Sequence, residues 1–251
     1  MRLLDATPKL LFLVSGFFFV ASYFASRFLD VPGASFGSYF STVAIAAPSF
    51  VALILYFGVG KGVRAIFLLG VFGYAIEAFG VVTRLPYGEF FYGDALGGKF
   101  LGIVPYLLPV SYVPLVIGAV AASWRPGGSR LFFVLRSAAL LTLIDGVLDP
   151  GAVALGFWVW PDGGIYYGVP VSNYFGWVLT SIPAAALLVW LGGWRSAPRP
   201  GLVDSAVIGL AFWIGVSVFA GMAVPALLGV AIFVYLLHRR SVLRRDKLWR
   251  I

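Results

Sequence analysis

Eight apolar segments, near residues 10–28, 39–59, 64–83, 103–123, 131–148, 173–192, 204–220 and 223–238, follow one another with only short polar connections between them. No other feature limits the possible folds so tightly. About 20 apolar residues rising about 1.5 Å each cross the roughly 30 Å hydrocarbon core of a bilayer, where every backbone amide must be satisfied inside its own segment. The sequence therefore predicts an all-α integral membrane protein: a single polytopic domain over 1–251, built as a bundle of about eight transmembrane helices. Residues 204–237 as one helix would be roughly 50 Å long, too long for a bilayer, so a break is expected at Gly221 to Pro225. Only 11% of the residues are charged and 61% are hydrophobic, against a charged share of about a quarter in soluble domains. The first segment is long, rich in Phe and without a small-residue cleavage site, so it is expected to be retained and not removed as a signal peptide.

Charge parity sets the orientation. With eight spans and the N-terminus inside, the inner set is Arg2, Lys9, Lys61, Arg64, Arg125, Arg130, Arg136, Arg195, Arg199 and six residues of the tail. Only Arg27, Arg84 and Lys99 fall outside, fifteen against three. Cytoplasmic loops collect Lys and Arg, so both termini are expected in the cytoplasm, in a multi-pass protein of the cell membrane. The net charge of +8 does not require a nucleic-acid partner. The run "HRRSVLRRDKLWRI" (238–251) follows directly on an apolar helix and is expected as a basic cytoplasmic tail attracted to anionic membrane lipids. There is no Cys, and His238 is the single His. Disulfides, thiolate metal sites, a Cys nucleophile and a multi-His metal site are thereby excluded.

The same topology sorts the acids. Asp30, Glu77, Glu89, Asp94, Asp145, Asp149 and Asp162 fall at the outer end, and only Asp5, Asp204 and Asp246 at the inner one. Asp145 and Asp149, within "TLIDGVLDPG", lie about 40° apart around a helix and about 6 Å along it, in a stripe with Ala138 and Thr142. Pro150 is expected to help end that helix. Two carboxyl groups so close in poorly hydrated surroundings should not both ionise, so one keeps its proton near neutral pH. The competing structural reading has Asp149 capping the next turn and Asp145 paired with Arg84 or Lys99. Glu77 shares a stripe with Gly70, Gly73 and Gly80, a small-residue face that turns it into the bundle, as a functional acid or as the partner of Arg84. Glu89 and Asp94 read most simply as solvated loop acids.

Aromatic residues crowd this outer end: Tyr87, Phe90, Phe91 and Tyr92 in one loop, then Trp158, Trp160, Tyr166, Tyr167, Tyr174 and Trp177. They suit either an interfacial aromatic belt or a pocket whose ring faces hold an apolar polyene and stabilise positive charge on carbon. Asn173 opens the sixth segment, and Trp177, Thr180 and Ser181 follow at helical spacing as a stripe able to hold water.

The blocks "DGVLDPGAVALGFWVWPDGGIYYGVPVSNYFGW" (145–177) and "EAFGVVTRLPYGEFFYGDALGGKFLGIVP" (77–105) resemble the carotenoid biosynthesis membrane-protein family, which includes hydratases of the bisanhydrobacterioruberin hydratase and carotenoid 1,2-hydratase type. The resemblance carries over to Glu77, Thr83, Gly88, Tyr92, Asp94, Gly97 and Pro105 in one block. In the other it reaches Asp145, Asp149, Pro150, Trp158, Trp160, Tyr166, Tyr167, Gly168, Pro170, Asn173 and Trp177. One departure is Arg84, where the family pattern leads one to expect glycine. The resemblance implies a lipophilic carotenoid substrate and addition of water across the terminal isopropylidene double bond, without metal or other cofactor. Such a reaction needs a proton donor, groups that stabilise a tertiary carbocation, and one positioned water. The expected roles are Asp145 as general acid, Asp149 or Glu77 with Asn173 as orienter of water and acceptor of its proton, and Trp158, Trp160, Tyr167 and Trp177 lining the cation. Asp94 is a further candidate acid, and Tyr87, Tyr92 and Tyr166 further substrate-lining residues. Two alternatives stand beside this reading. A carotenoid cyclase would make the same cation and exclude water; the non-enzyme alternative is a lipophilic-ligand binding protein or transporter, and a transporter would be expected to show internal repeats and broken midplane helices. A retinal Schiff base is disfavoured because every Lys lies at a helix end or in a loop.

Overall fold

The computed structural model describes residues 7–28, 34–194 and 196–248. Among these it contains eight α-helices: α1 (Pro8–Arg27), α2 (Ala34–Phe57), α3 (Val59–Thr83), α4 (Leu108–Ser123), α5 (Arg130–Ala154), α6 (Val171–Gly192), α7 (Asp204–Phe219) and α8 (Ala223–Leu248). Seven are long and apolar enough to cross a membrane, α7 being counted with the 3-10 turn Pro200–Val203 that leads into it. α4, at 16 residues, falls short of that length.

The expected fourth segment, 103–123, thus loses its first turn. Lys99–Phe100 (β2) and Val104–Pro105 (β3) pair in a small hairpin instead. Leu101 and Gly102 at its tip both have positive φ, the conformation of a tight hairpin turn, and Pro105 has no amide proton for a helical bond. From Tyr112 to Ser123 α4 is buried all round, so it is walled in by longer helices. α7 is likewise a central helix, packed on α1, α2, α4, α5 and α8. α1 lies close enough to it that a Cβ on Gly215 would collide with the Ser22 hydroxyl and the Phe19 carbonyl. The expected break after α7 is present at Ala220–Met222. There Gly221 turns the chain at φ 71° and the Met222 amide donates to the Ser217 carbonyl, while Pro225 falls inside the first turn of α8.

Of the charges used above, Arg2, Asp5, Asp30, Arg195 and Arg250 lie outside the described residues, as do the side chains of Asp246 and Lys247. The remaining inner-set charges gather at one end of the bundle. There Lys61 and Arg64 line a cavity with Trp190 and Leu191, and the Trp124 indole donates to the Trp194 carbonyl. The basic run behaves differently from a tail lying on lipid. α8 continues through it to Leu248. Arg239 and Arg240 are buried: Arg239 donates to the carbonyls of Ala122 and Trp124 at the end of α4, and Arg240 pairs through both guanidinium arms with Asp204 at the start of α7. These are favourable places for such charges, a cation at a helix C-terminus and an anion at an N-terminus.

Candidate active site

Opposite that basic end, α5 and α6 bring three polar side chains together in an otherwise apolar bundle. Asp145 is 1%, Asp149 3% and Asn173 2% exposed. The Asn173 amide donates to Asp149 Oδ2 and, at 3.5 Å, to Asp145 Oδ2. One side chain at the start of α6 thereby bridges both carboxyl groups of α5, which lie within hydrogen-bonding reach of each other. No donor reaches Asp145 Oδ1, and the hydroxyls of Tyr174 and Ser181 on α6 are equally buried and unpartnered.

Pro150 does not end α5; the helix runs four residues further, to Ala154. A proline inside a helix removes the bond to the carbonyl four residues back, here that of Gly146. The Tyr166 hydroxyl donates to this carbonyl at 3.2 Å. Asp149 therefore sits in the last turns of a continued helix with Asn173 as partner, and is not a cap of the following turn.

Glu77 approaches from α3 and is 8% exposed. Its Oε2 accepts a 2.7 Å hydrogen bond from the Tyr92 hydroxyl. Tyr92 is held there by a two-residue strand pairing: Phe91–Tyr92 (β1) lies antiparallel to Trp158–Val159 (β4), which ties the α3–α4 loop to the α5–α6 loop. The pairing sets the Tyr92 and Trp158 rings edge to face, centroids 5.9 Å apart. The glycine stripe of α3 is buried as expected, but what fills it is rings. Tyr112 of α4 packs on Gly73, and Tyr87 packs on Gly80 and, from the other side, on Gly176 of α6. The Tyr87 hydroxyl donates to Thr180 at 3.1 Å. Burial, and then the Glu77 carboxylate, push the Tyr87 and Tyr92 phenols above the ordinary tyrosine value, so both remain donors.

Neither ion pair foreseen for these acids forms. Arg84 bonds Glu89 and Lys99 bonds Asp94, each at 3.0 Å, so neither cation reaches Glu77 or Asp145. Asp94 is fully exposed and stands apart from the other candidate acids. Trp158 and Trp177 are half-buried against the cluster, and Trp177 packs on Tyr112. Trp160 is buried one layer behind, its indole donating to the Tyr87 carbonyl. Tyr167 is 38% exposed and meets the Val224 amide, away from the carboxyl groups. Tyr87, Phe90, Tyr92 and Trp160 are buried in a packed core, so these four are not part of an exposed aromatic belt. Tyr112 is a residue near the acids that sequence reasoning passed over, and Tyr174, named there only among the outer aromatics, is a second. Gly73 facing a Tyr was the signal for the first, and adjacency to Asn173 for the second.

Among the described residues no group of three His, Cys, Asp or Glu has an arrangement able to hold a metal ion. What the cluster can do is hold a proton between two carboxyl groups, present an unpartnered carboxyl oxygen, and surround it with rings. The profile of the carotenoid biosynthesis protein family matches residues 36–236. Bisanhydrobacterioruberin hydratase of Haloarcula japonica is 40% identical over 182 residues, 67% of this chain and 61% of that protein. The match thus spans about three fifths of that relative's length. No solved structure matches. A family match running from α2 into α8, across every element that builds the carboxyl cluster, means that this chain belongs to the carotenoid biosynthesis protein family.

Proposed function

We propose that this chain is a membrane-embedded carotenoid hydratase that adds water across the terminal isopropylidene double bond of an acyclic carotenoid. The observation that carries the reading is the Asn173 bridge between two buried carboxyl groups, one of which keeps an oxygen without a donor. Asp145 delivers its proton from Oδ1 to the secondary alkene carbon, leaving a tertiary carbocation on the carbon that bears the two methyl groups. The faces of Trp158 and Trp177 and the carboxylate left on Asp145 stabilise that charge. Water held by Asn173 and Asp149 attacks the cation. Its surplus proton passes to Asp149 and across the pair to Asp145, so the enzyme ends as it began. Glu77, bonded to Tyr92, adds negative potential behind the site. The 40% identity to a protein named a hydratase supports the reading.

Incubation of the purified chain with an acyclic carotenoid in oxygen-18 water tests it. The expected product has gained one labelled water per reacted end. A cyclised isomer of unchanged mass would make the chain a cyclase, and tight binding without conversion would make it a carrier; either result overturns the proposal.

A further inference from the structure

We infer that the Tyr166 hydroxyl is a positioning group, standing in for the amide proton that Pro150 lacks and thereby fixing the helical turn that spaces Asp145 and Asp149. Gly146 lies between the two aspartates, and its carbonyl is the one that a non-proline residue at 150 would satisfy. It is buried, where an acceptor without a donor is costly. The donor comes from the α5–α6 loop. Tyr166 places its hydroxyl 3.2 Å from that oxygen and its ring edge-on to Tyr174, at 5.7 Å, on the helix that carries Asn173. Tyr174 directly follows Asn173 in α6. One side chain thus holds the turn of α5 that bears the acids and packs on the turn of α6 that bears their bridge. The loop around it is tightly shaped. Gly168 has φ 85°, and a Cβ on Gly164 would overlap the Val169 and Pro170 backbone, so the phenol is delivered by a fixed turn and not by a free strand.

The inference rests on the hydratase reading for its kinetic consequence but not for its structural one, and two readouts separate them. Tyr166→Phe keeps the ring and removes only the donor. Amide exchange across residues 147–154 is expected to rise about tenfold in this variant, the factor that one unsatisfied buried acceptor is worth. Turnover is expected to fall by a similar factor with KM little changed. Pro150→Ala restores a backbone donor to the same carbonyl, so in that background Tyr166→Phe is expected to cost less than twofold in either readout. Wild-type exchange in Tyr166→Phe, or an equal loss with and without Pro150, overturns the inference. If the wild-type chain hydrates nothing, the hydratase reading fails while the exchange cycle still decides this one.

Discussion

Asn173 is the residue on which the site turns, because it alone donates to both aspartates. Replacing it by Leu keeps the volume and strands two buried carboxyl groups. Hydration is expected to fall about 10²-fold, with a loss of stability of about 2 kcal/mol, read by product mass and by thermal unfolding in detergent. On the proposed mechanism Asp145→Asn removes the proton donor while keeping the shape, so activity should drop by about 10³-fold without loss of folded protein. Full turnover in the purified variant would hand the donor's role to Asp149 or Glu77. Trp158 and Trp177 discriminate between cation stabilisation and simple packing. Phe at either position should retain severalfold more activity than Leu, since only a ring face attracts positive charge; equal activities would leave packing alone. The acids and Asn173 were legible in the sequence because polar residues at helical spacing stand out in an apolar chain. Their mutual distances were not, since Asn173 is 24 residues from Asp149 and the contact depends on how α5 and α6 pack. The placements of Trp160 one layer behind the acids and of Tyr167 beside Val224 were not legible for the same reason: an aromatic residue near a site in sequence says nothing about the layer it occupies.

At the scale of elements, the meeting of α3 and α6 is set by glycines on both sides of Tyr87. A Cβ at Gly176 would lie 2.5 Å from one Tyr87 ring carbon and 3.0 Å from Pro86. Gly176→Ala is therefore expected to destabilise by about 2 kcal/mol through overpacking, measurable as a lowered unfolding temperature. The C-terminus of α3 predicts the opposite sign. Arg84 occupies the left-handed region at φ 66°, so the glycine expected from the family pattern has a conformational basis. Arg84→Gly should stabilise by about 1 kcal/mol, reduced by whatever the exposed pair with Glu89 contributes, at most about 1 kcal/mol. An unfolding temperature below wild type would mean that the ion pair outweighs the backbone strain. Helix existence was plain from apolar length. The ends were misjudged at prolines, where sequence reads a stop at Pro150 and a helical start before Pro105. Whether a proline breaks a helix depends on whether another group satisfies the freed carbonyl, and the Tyr166 hydroxyl is contributed from 20 residues away.

The whole molecule is polarised, with acids and rings at one end and basic residues at the other. We propose from the Lys and Arg bias that the basic end faces the cytoplasm, and on that proposal a reporter fused after Ile251 is expected to read as cytoplasmic. An external reading would place the carboxyl cluster on the inner side. The basic end is also a structural joint. Arg240→Leu removes the guanidinium that pairs with buried Asp204 and should destabilise by about 3–5 kcal/mol, measured as a lowered unfolding temperature. Charge counting made the polarity visible but could not distinguish a cation at the lipid surface from one folded back onto α4 and α7.

The two aspartates and the amide that bridges them lie on successive helices, and the ribosome makes α5 first. When α5 reaches the insertion machinery, Asn173 has not yet been delivered, and each carboxyl group would enter lipid at about 2.5–3.5 kcal/mol at mid-bilayer depth, less near the interface. α5 is thus a reluctant guest of the membrane alone. It should linger beside the translocon until α6 emerges, so that the two helices enter the bilayer as one hairpin with the carboxyl groups already bridged by the Asn173 amide.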